Sequence, residues 1–155
     1  MKPEDVKSYF CKAPVVEDYA RAVDEVGLWN SERAMVSKYF NPDDAILELG
    51  CGAGRISINL ALAGFSNLTA TDFSPAMVDA ARKIAGSKNL SGIKFAVCDA
   101  VSIGFGDGSF GGAVFGFNGL MQIPRRQNRR KALREIARIL KPRPRFLFTT
   151  HDRDN

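Results

Sequence analysis

The stretch ILELGCGAGR, residues 46–55, decides how this chain is read. An apolar run carries an acid, Glu48, and glycine then recurs at Gly50, Gly52 and Gly54. So much glycine after a strand fits a very tight turn, or a backbone pressed against a ligand. A dinucleotide fingerprint requires G-x-G-x-x-G. Here the third glycine comes one place early and Arg55 holds the sixth position. Glu48, two residues before the first glycine, would repel a pyrophosphate at a helix N-terminus. It would suit a ligand presenting an ammonium group.

Outward from that turn the chain alternates. AILEL (45–49) reads as a strand and RISINLALAG (55–64) as a helix closed by Gly64. NLTATD (67–72) is a β-branched strand ending in Asp72. SPAMVDAARKIAG (74–86) is a helix with Ser74 as N-cap, Pro75 at its first position and Gly86 past its end. GIKFAVCD (92–99) is a third strand ending in Asp99, followed by a Gly- and Asp-rich loop over 103–110. GGAVFGF (111–117) is a fourth strand, NRRKALREIARIL (128–140) an amphipathic helix and PRFLFTTH (144–151) a fifth strand. Strands alternating with helices predict right-handed βαβ units in an α/β, Rossmann-like, doubly wound parallel sheet. Ligands of such sheets sit at the carboxyl ends of the strands, where Glu48, the glycines, Asp72, Asp99 and Asn118 fall.

Residues 1–44 read differently, as two or three short helices before the main fold. VVEDYARAVDEVGLW (15–29) has apolar residues at helical spacing, and Asn30 or Ser31 can cap SERAMVSKYF (31–40), which should stop near Asn41-Pro42. The division expected is a helical extension or lid over 1–44 and a ligand-binding domain over 45–155.

The 155 residues, 45% hydrophobic, can bury one ordinary core. No apolar stretch is long enough to cross a bilayer, and MKPEDVKSYF lacks the apolar middle of a signal peptide. The three cysteines, Cys11, Cys51 and Cys98, are too scattered for a disulfide framework and form no C-x-x-C pair, so no metal is expected. A cytoplasmic setting is the simplest expectation. The side chains of Cys51 and Cys98 read as small buried fillers, and His151 is given no role. Much of the positive excess lies in RRQNRRKALREIARILKPRPR (125–145), either a solvated helix face or a nucleic-acid footprint.

ELGCGAGR, followed by ATD and then VCDA, resembles the class I S-adenosylmethionine-dependent methyltransferases. The likeness runs from about Tyr19 onward and includes LREIARILKP, which looks like the small-molecule branch. The resemblance implies sheet order 3-2-1-4-5. It places the methionine part of the cofactor on Glu48 and on the backbone of Gly50, Cys51, Gly52, Gly54 and Arg55. Asp72 would accept from both ribose hydroxyls, Phe73 and Met77 would pack on adenine, and Asp99 and Ala100 would meet its polar edge. Phe115, Gly116, Phe117 and Asn118 would floor the site beside the sulfonium, and Tyr19 and Trp29 would belong to the lid. No catalytic residue is implied, because methyl transfer from a sulfonium needs mainly orientation. The acceptor expected is a small molecule, with S-adenosylhomocysteine as the second product.

FNGLMQIP (117–124) lacks the Asn/Asp-Pro-Pro-Tyr/Phe stretch of many amino methylases. The family's Lys-Pro-Gly-Gly turn is here Lys141-Pro142-Arg143-Pro144, so that turn should take another shape and expose Arg143 and Arg145. The final antiparallel strand pair of the family is absent from this sequence. Strand five would then be an open edge, through truncation or because a partner chain covers it. Three other readings follow: a cofactor-binding module without turnover, an RNA-directed methyltransferase using 125–145, and a nicotinamide-dependent oxidoreductase disfavoured by Glu48.

Overall fold

The computed structural model describes residues 3–151. Three helices come first: α1 (Pro3–Phe10), α2 (Ala13–Glu25) and α3 (Asn30–Tyr39). Then follow β1 (Ile46–Leu49), α4 (Arg55–Leu62), β2 (Leu68–Asp72), α5 (Pro75–Ser87), β3 (Lys94–Val97) and β4 (Phe110–Phe115). A short α6 (Gly119–Gln122), α7 (Arg126–Ile139) and β5 (Leu140–Phe148) complete it. All strand pairs are parallel and the order is β3-β2-β1-β4-β5, as expected.

β1 is buried on both faces, as the middle strand of a parallel sheet must be. Its alternation sorts the core. Ile46 joins Val23, Val36, Ile56, Leu68 and Val114 on one face. Leu47 and Leu49 join Phe110, Phe115, Ile136 and Ile139 on the other. Full burial of each of these branched side chains contributes about 1.5–3 kcal/mol. α2 and α3 thus share the first face with α4, while α7 covers the second.

The ends of the elements show where local sequence decided. Gly64 (φ 98°) closes α4 as expected: its N–H donates to Ala61 O and that of Phe65 to Leu60 O, each at 3.0 Å. Ser74 caps α5, its hydroxyl accepting from Met77 N–H at 3.4 Å. Gly86, however, lies inside α5. The left-handed residue is Asn89 (φ 58°), and Leu90 N–H donates to Ala85 O at 2.9 Å. The cap of α3 is at Trp29, not Asn30 or Ser31, because the Glu32 carboxylate accepts the Trp29 N–H at 2.9 Å.

β5 starts earlier than expected. Leu140 pairs with Phe110 and Arg145 with Gly112, so residues 141–144 bulge out of register. Arg143 keeps the left-handed conformation (φ 62°) that glycine supplies elsewhere, and both Arg143 and Arg145 are exposed. Among the described residues β5 pairs only with β4 and is one edge of the sheet, β3 being the other. No helix is long and apolar enough to cross a membrane.

Candidate functional site

A cavity of about 530 Å³ opens at the carboxyl ends of β1 to β4. The glycine turn forms one wall. Gly50 (φ 62°) and Gly52 (φ 55°) present bare backbone to the cavity. A Cβ on Gly52 would stand 2.7 Å from the Tyr19 ring, and one on Gly50 would stand 2.7 Å from the Phe115 ring. Both backbone angle and space therefore require glycine.

Asp72 stands at the end of β2, 5% exposed and on the cavity wall. Its Oδ2 accepts the Gly52 N–H at 2.9 Å and its Oδ1 accepts the Ser74 N–H at 2.8 Å. One carboxylate thus ties the glycine turn to the start of α5. Burial raises its pKa against the pull of those N–H groups. The Phe73 N–H also acts on this carboxylate, and the acceptor capacity that remains suits a ligand hydroxyl. Asp99 is exposed on the next strand end, accepting Val101 N–H at 3.0 Å, and Ala100 lines the cavity beside it. Phe73 adds an apolar wall and meets the Phe10 ring edge-on at 5.8 Å.

Glu48 is placed otherwise than expected. It faces the core beneath the turn, and the cavity is lined by its neighbours Leu49 and Gly50. Its Oε2 accepts Ser57 N–H in the first turn of α4 at 2.9 Å. Burial raises its pKa to about 7. The alternation of β1 explains this: Glu48 shares the face of Ile46, toward α4.

Arg55 is likewise absent from the cavity wall. Its guanidinium makes a buried fork to Glu32 (2.6 and 2.7 Å) and donates to Gly27 O at 2.6 Å. It lies 5.1 Å from the centre of the Trp29 ring and 5.6 Å from that of Phe117. One side chain thus fastens the α2–α3 turn and α3 to the turn after β1.

Tyr19, Phe115, Gly116 and Phe117 reach the cavity as expected. Burial, and then the Asp72 charge, raise the Tyr19 pKa, so its phenol keeps its proton. Met77 of α5 is buried in the core, and Cys51, Gly54, Trp29 and Asn118 are not among the residues that line the cavity. Asn118 N–H donates to Thr149 Oγ1 at 2.8 Å, and Trp29 supports Phe117 at 5.7 Å. Cys98 is no buried filler; it is half-buried on the wall, and burial raises its thiol pKa.

Sequence reasoning missed Val6 and Phe10 of α1, and Gln122, Ile123, Pro124 and Asn128 around α6. A signal existed for the second group. The segment between β4 and α7 leaves a strand at the carboxyl end of the sheet, so it borders the ligand crevice. Among the described residues no group of His, Cys, Asp and Glu could hold a metal.

Residues 46–143 match the family described as "Methyltransferase domain", and the chain belongs to that family. It is 29% identical over 153 residues to a demethylmenaquinone methyltransferase of Symbiobacterium thermophilum, covering 94% of this chain and 59% of that protein. It is 34% identical over 104 residues to an O-methyltransferase of Penicillium expansum, covering 66% of this chain and 36% of that one. A solved S-adenosylmethionine-dependent methyltransferase from Methanosarcina mazei is 33% identical with a TM-score of 0.66, over 75% of this chain and 54% of that structure. The fold is that of these methyltransferases, and the chain spans about a third to three-fifths of the length of these relatives.

Proposed function

We propose that this chain binds S-adenosylmethionine and transfers its methyl group to a small, largely apolar acceptor. The observation that carries the reading is Asp72: a desolvated carboxylate with remaining acceptor capacity, bonded to the glycine turn and facing the cavity. It would hold the ribose hydroxyls. Gly50 and Gly52 would lie against the methionine portion, Phe73 against adenine, and Asp99 and Ala100 against its polar edge. Glu48 acts indirectly, fixing the first turn of α4 from below.

When bound, the cofactor supplies an already activated methyl group. The protein's part is then to orient the acceptor and exclude water, which can be worth about 7 kcal/mol or more in well-oriented reactions. Tyr19, packed against Gly52, meets Phe117 edge-on at 5.9 Å, and the two rings shape the wall beside the glycine turn. Ile123 and Pro124 give the cavity an apolar side after β4, away from Asp99 and Ala100, which supports an apolar acceptor. The relatives named for demethylmenaquinone and O-methylation agree with that class.

The test is transfer of tritiated methyl from S-adenosylmethionine to a panel of quinols, phenols and lysine peptides. Label on a quinol or phenol is the expected outcome. Label on the peptides alone would overturn the small-molecule reading.

A further inference from the structure

Ten of the chain's 22 Lys and Arg, but only one of its 17 Asp and Glu, lie in residues 125–145. That segment carries +9 and the rest of the chain −4. The bias is toward arginine as well as charge. The segment has eight Arg and two Lys, whereas the remainder has five Arg and seven Lys. Arginine's planar fork matches phosphate oxygens, which lysine meets only as a point charge.

α7 displays this charge without neutralising it. Arg126, Arg130 and Arg134 recur every fourth residue and are all exposed. They stand about 6 Å apart along the axis. Among the described residues none of them forms an ion pair, nor do Arg125, Lys141 or Arg143. The segment's one acid, Glu135, is held by Arg138 at 2.9 Å. Like charges four residues apart destabilise a helix. Cations in its first turn also oppose the helix dipole, and no acid sits in the first turn of α7. A polyanion bound along this row would relieve both costs.

The chemistry of the face narrows the partner. No aromatic residue occurs in 125–145, and Leu133 is the large apolar side chain that α7 exposes. A face of this kind neither stacks bases nor inserts into a bilayer. It reads a repeating phosphate charge. The row also begins at the cavity, where Asn128 lines the wall and Arg129 donates to Ile123 O at 2.9 Å.

We propose that the exposed face of α7, along Arg126, Arg130 and Arg134, binds the phosphate backbone of duplex RNA without regard to sequence. This inference does not rest on the cofactor or acceptor reading. It is tested on the whole chain by fluorescence anisotropy with a labelled RNA duplex over a range of salt. Neutralising four or five phosphates predicts a log–log salt slope of about −4. Replacing Arg126, Arg130 and Arg134 together by Gln should weaken binding at least ~10-fold and flatten the slope by about 3. Replacing Lys38, Lys83 and Lys94 by Gln makes the same change in net charge and should leave affinity within about twofold. Far-ultraviolet circular dichroism, unchanged in both triple variants, reports intact folding. Equal losses in the two triple variants would overturn the proposal, as would a flat slope. Binding to phosphatidylglycerol vesicles with none to RNA would also overturn it and assign the face to lipid.

Discussion

After β1 the chain turns on Gly50, Gly52 and Gly54, with φ of 62°, 55° and 90°. After β4 it turns on Phe117 and Asn118, with φ of 52° and 59°. The two turns flank one cavity and use the same left-handed backbone. The first keeps glycine at these positions, because a Cβ would strike Phe115, Tyr19 or Ile58, and the bare backbone of Gly50 and Gly52 is itself the wall. The second accepts strain of a size typical of functional sites, and gains a ring on the wall from Phe117. Charge differs in the same way. On the β1 side Arg55 and Glu32 are buried and paired, while the arginine row of α7 is exposed and unpaired. Close approach to a ligand requires bare backbone; shaping a wall for a particular acceptor requires side chains, even in unfavourable backbone.

The largest way to break this contrast is Arg55→Met, which strands Glu32 as a buried charge. The expected loss in chemical denaturation is about 3–5 kcal/mol. Removing one exposed arginine of α7, such as Arg130→Met, should change stability by less than about 0.5 kcal/mol. Equal effects would deny the difference between the two regions.

Next comes pH. The folded pKa of Glu48 is about 7, against 4.5 when unfolded. The native state therefore binds the extra proton, and stability falls as pH rises from about 4.5 to about 7, by on the order of 3 kcal/mol. Glu48→Gln should flatten that fall in denaturation curves taken across the window. Asp72, also raised, works in the same direction. On the other side of the sheet Glu135 is lowered by its hydrogen bond to Arg138, so its contribution is lost instead as pH falls.

Gly52→Ala should weaken S-adenosylhomocysteine binding about 100-fold, since the added Cβ displaces Tyr19 and strains the turn. The smallest effect runs the other way. Arg143→Gly relieves a left-handed arginine before Pro144 and should stabilise the chain by about 1 kcal/mol, read as a rise in melting temperature.

Much of this was legible in the sequence. The parallel sheet, the glycine turn, the cap at Ser74 and the place of Asp72 follow from local rules and from the topology of parallel sheets, and the strand order from the family resemblance. What escaped were contacts between distant segments. Nothing near Arg55 announces Glu32, 23 residues earlier, as its partner. Glu48 was misplaced because its nearness to the glycines outweighed the two-residue period of its own strand. α1 supplies Val6 and Phe10 to the cavity, with Phe10 against Phe73 and Tyr19, and no spacing rule encodes that approach. Arg143 shows that a turn conformation can outlast the glycine that normally supplies it.

The most direct test of the account is calorimetric titration of the chain with S-adenosylhomocysteine, repeated on Asp72→Ala. The account predicts micromolar binding that weakens at least ~10-fold in the variant, the order expected for losing a charged acceptor of two hydrogen bonds. NADH should give no heat. Equal affinity in the two proteins, or binding of NADH in place of S-adenosylhomocysteine by a folded chain, would contradict it.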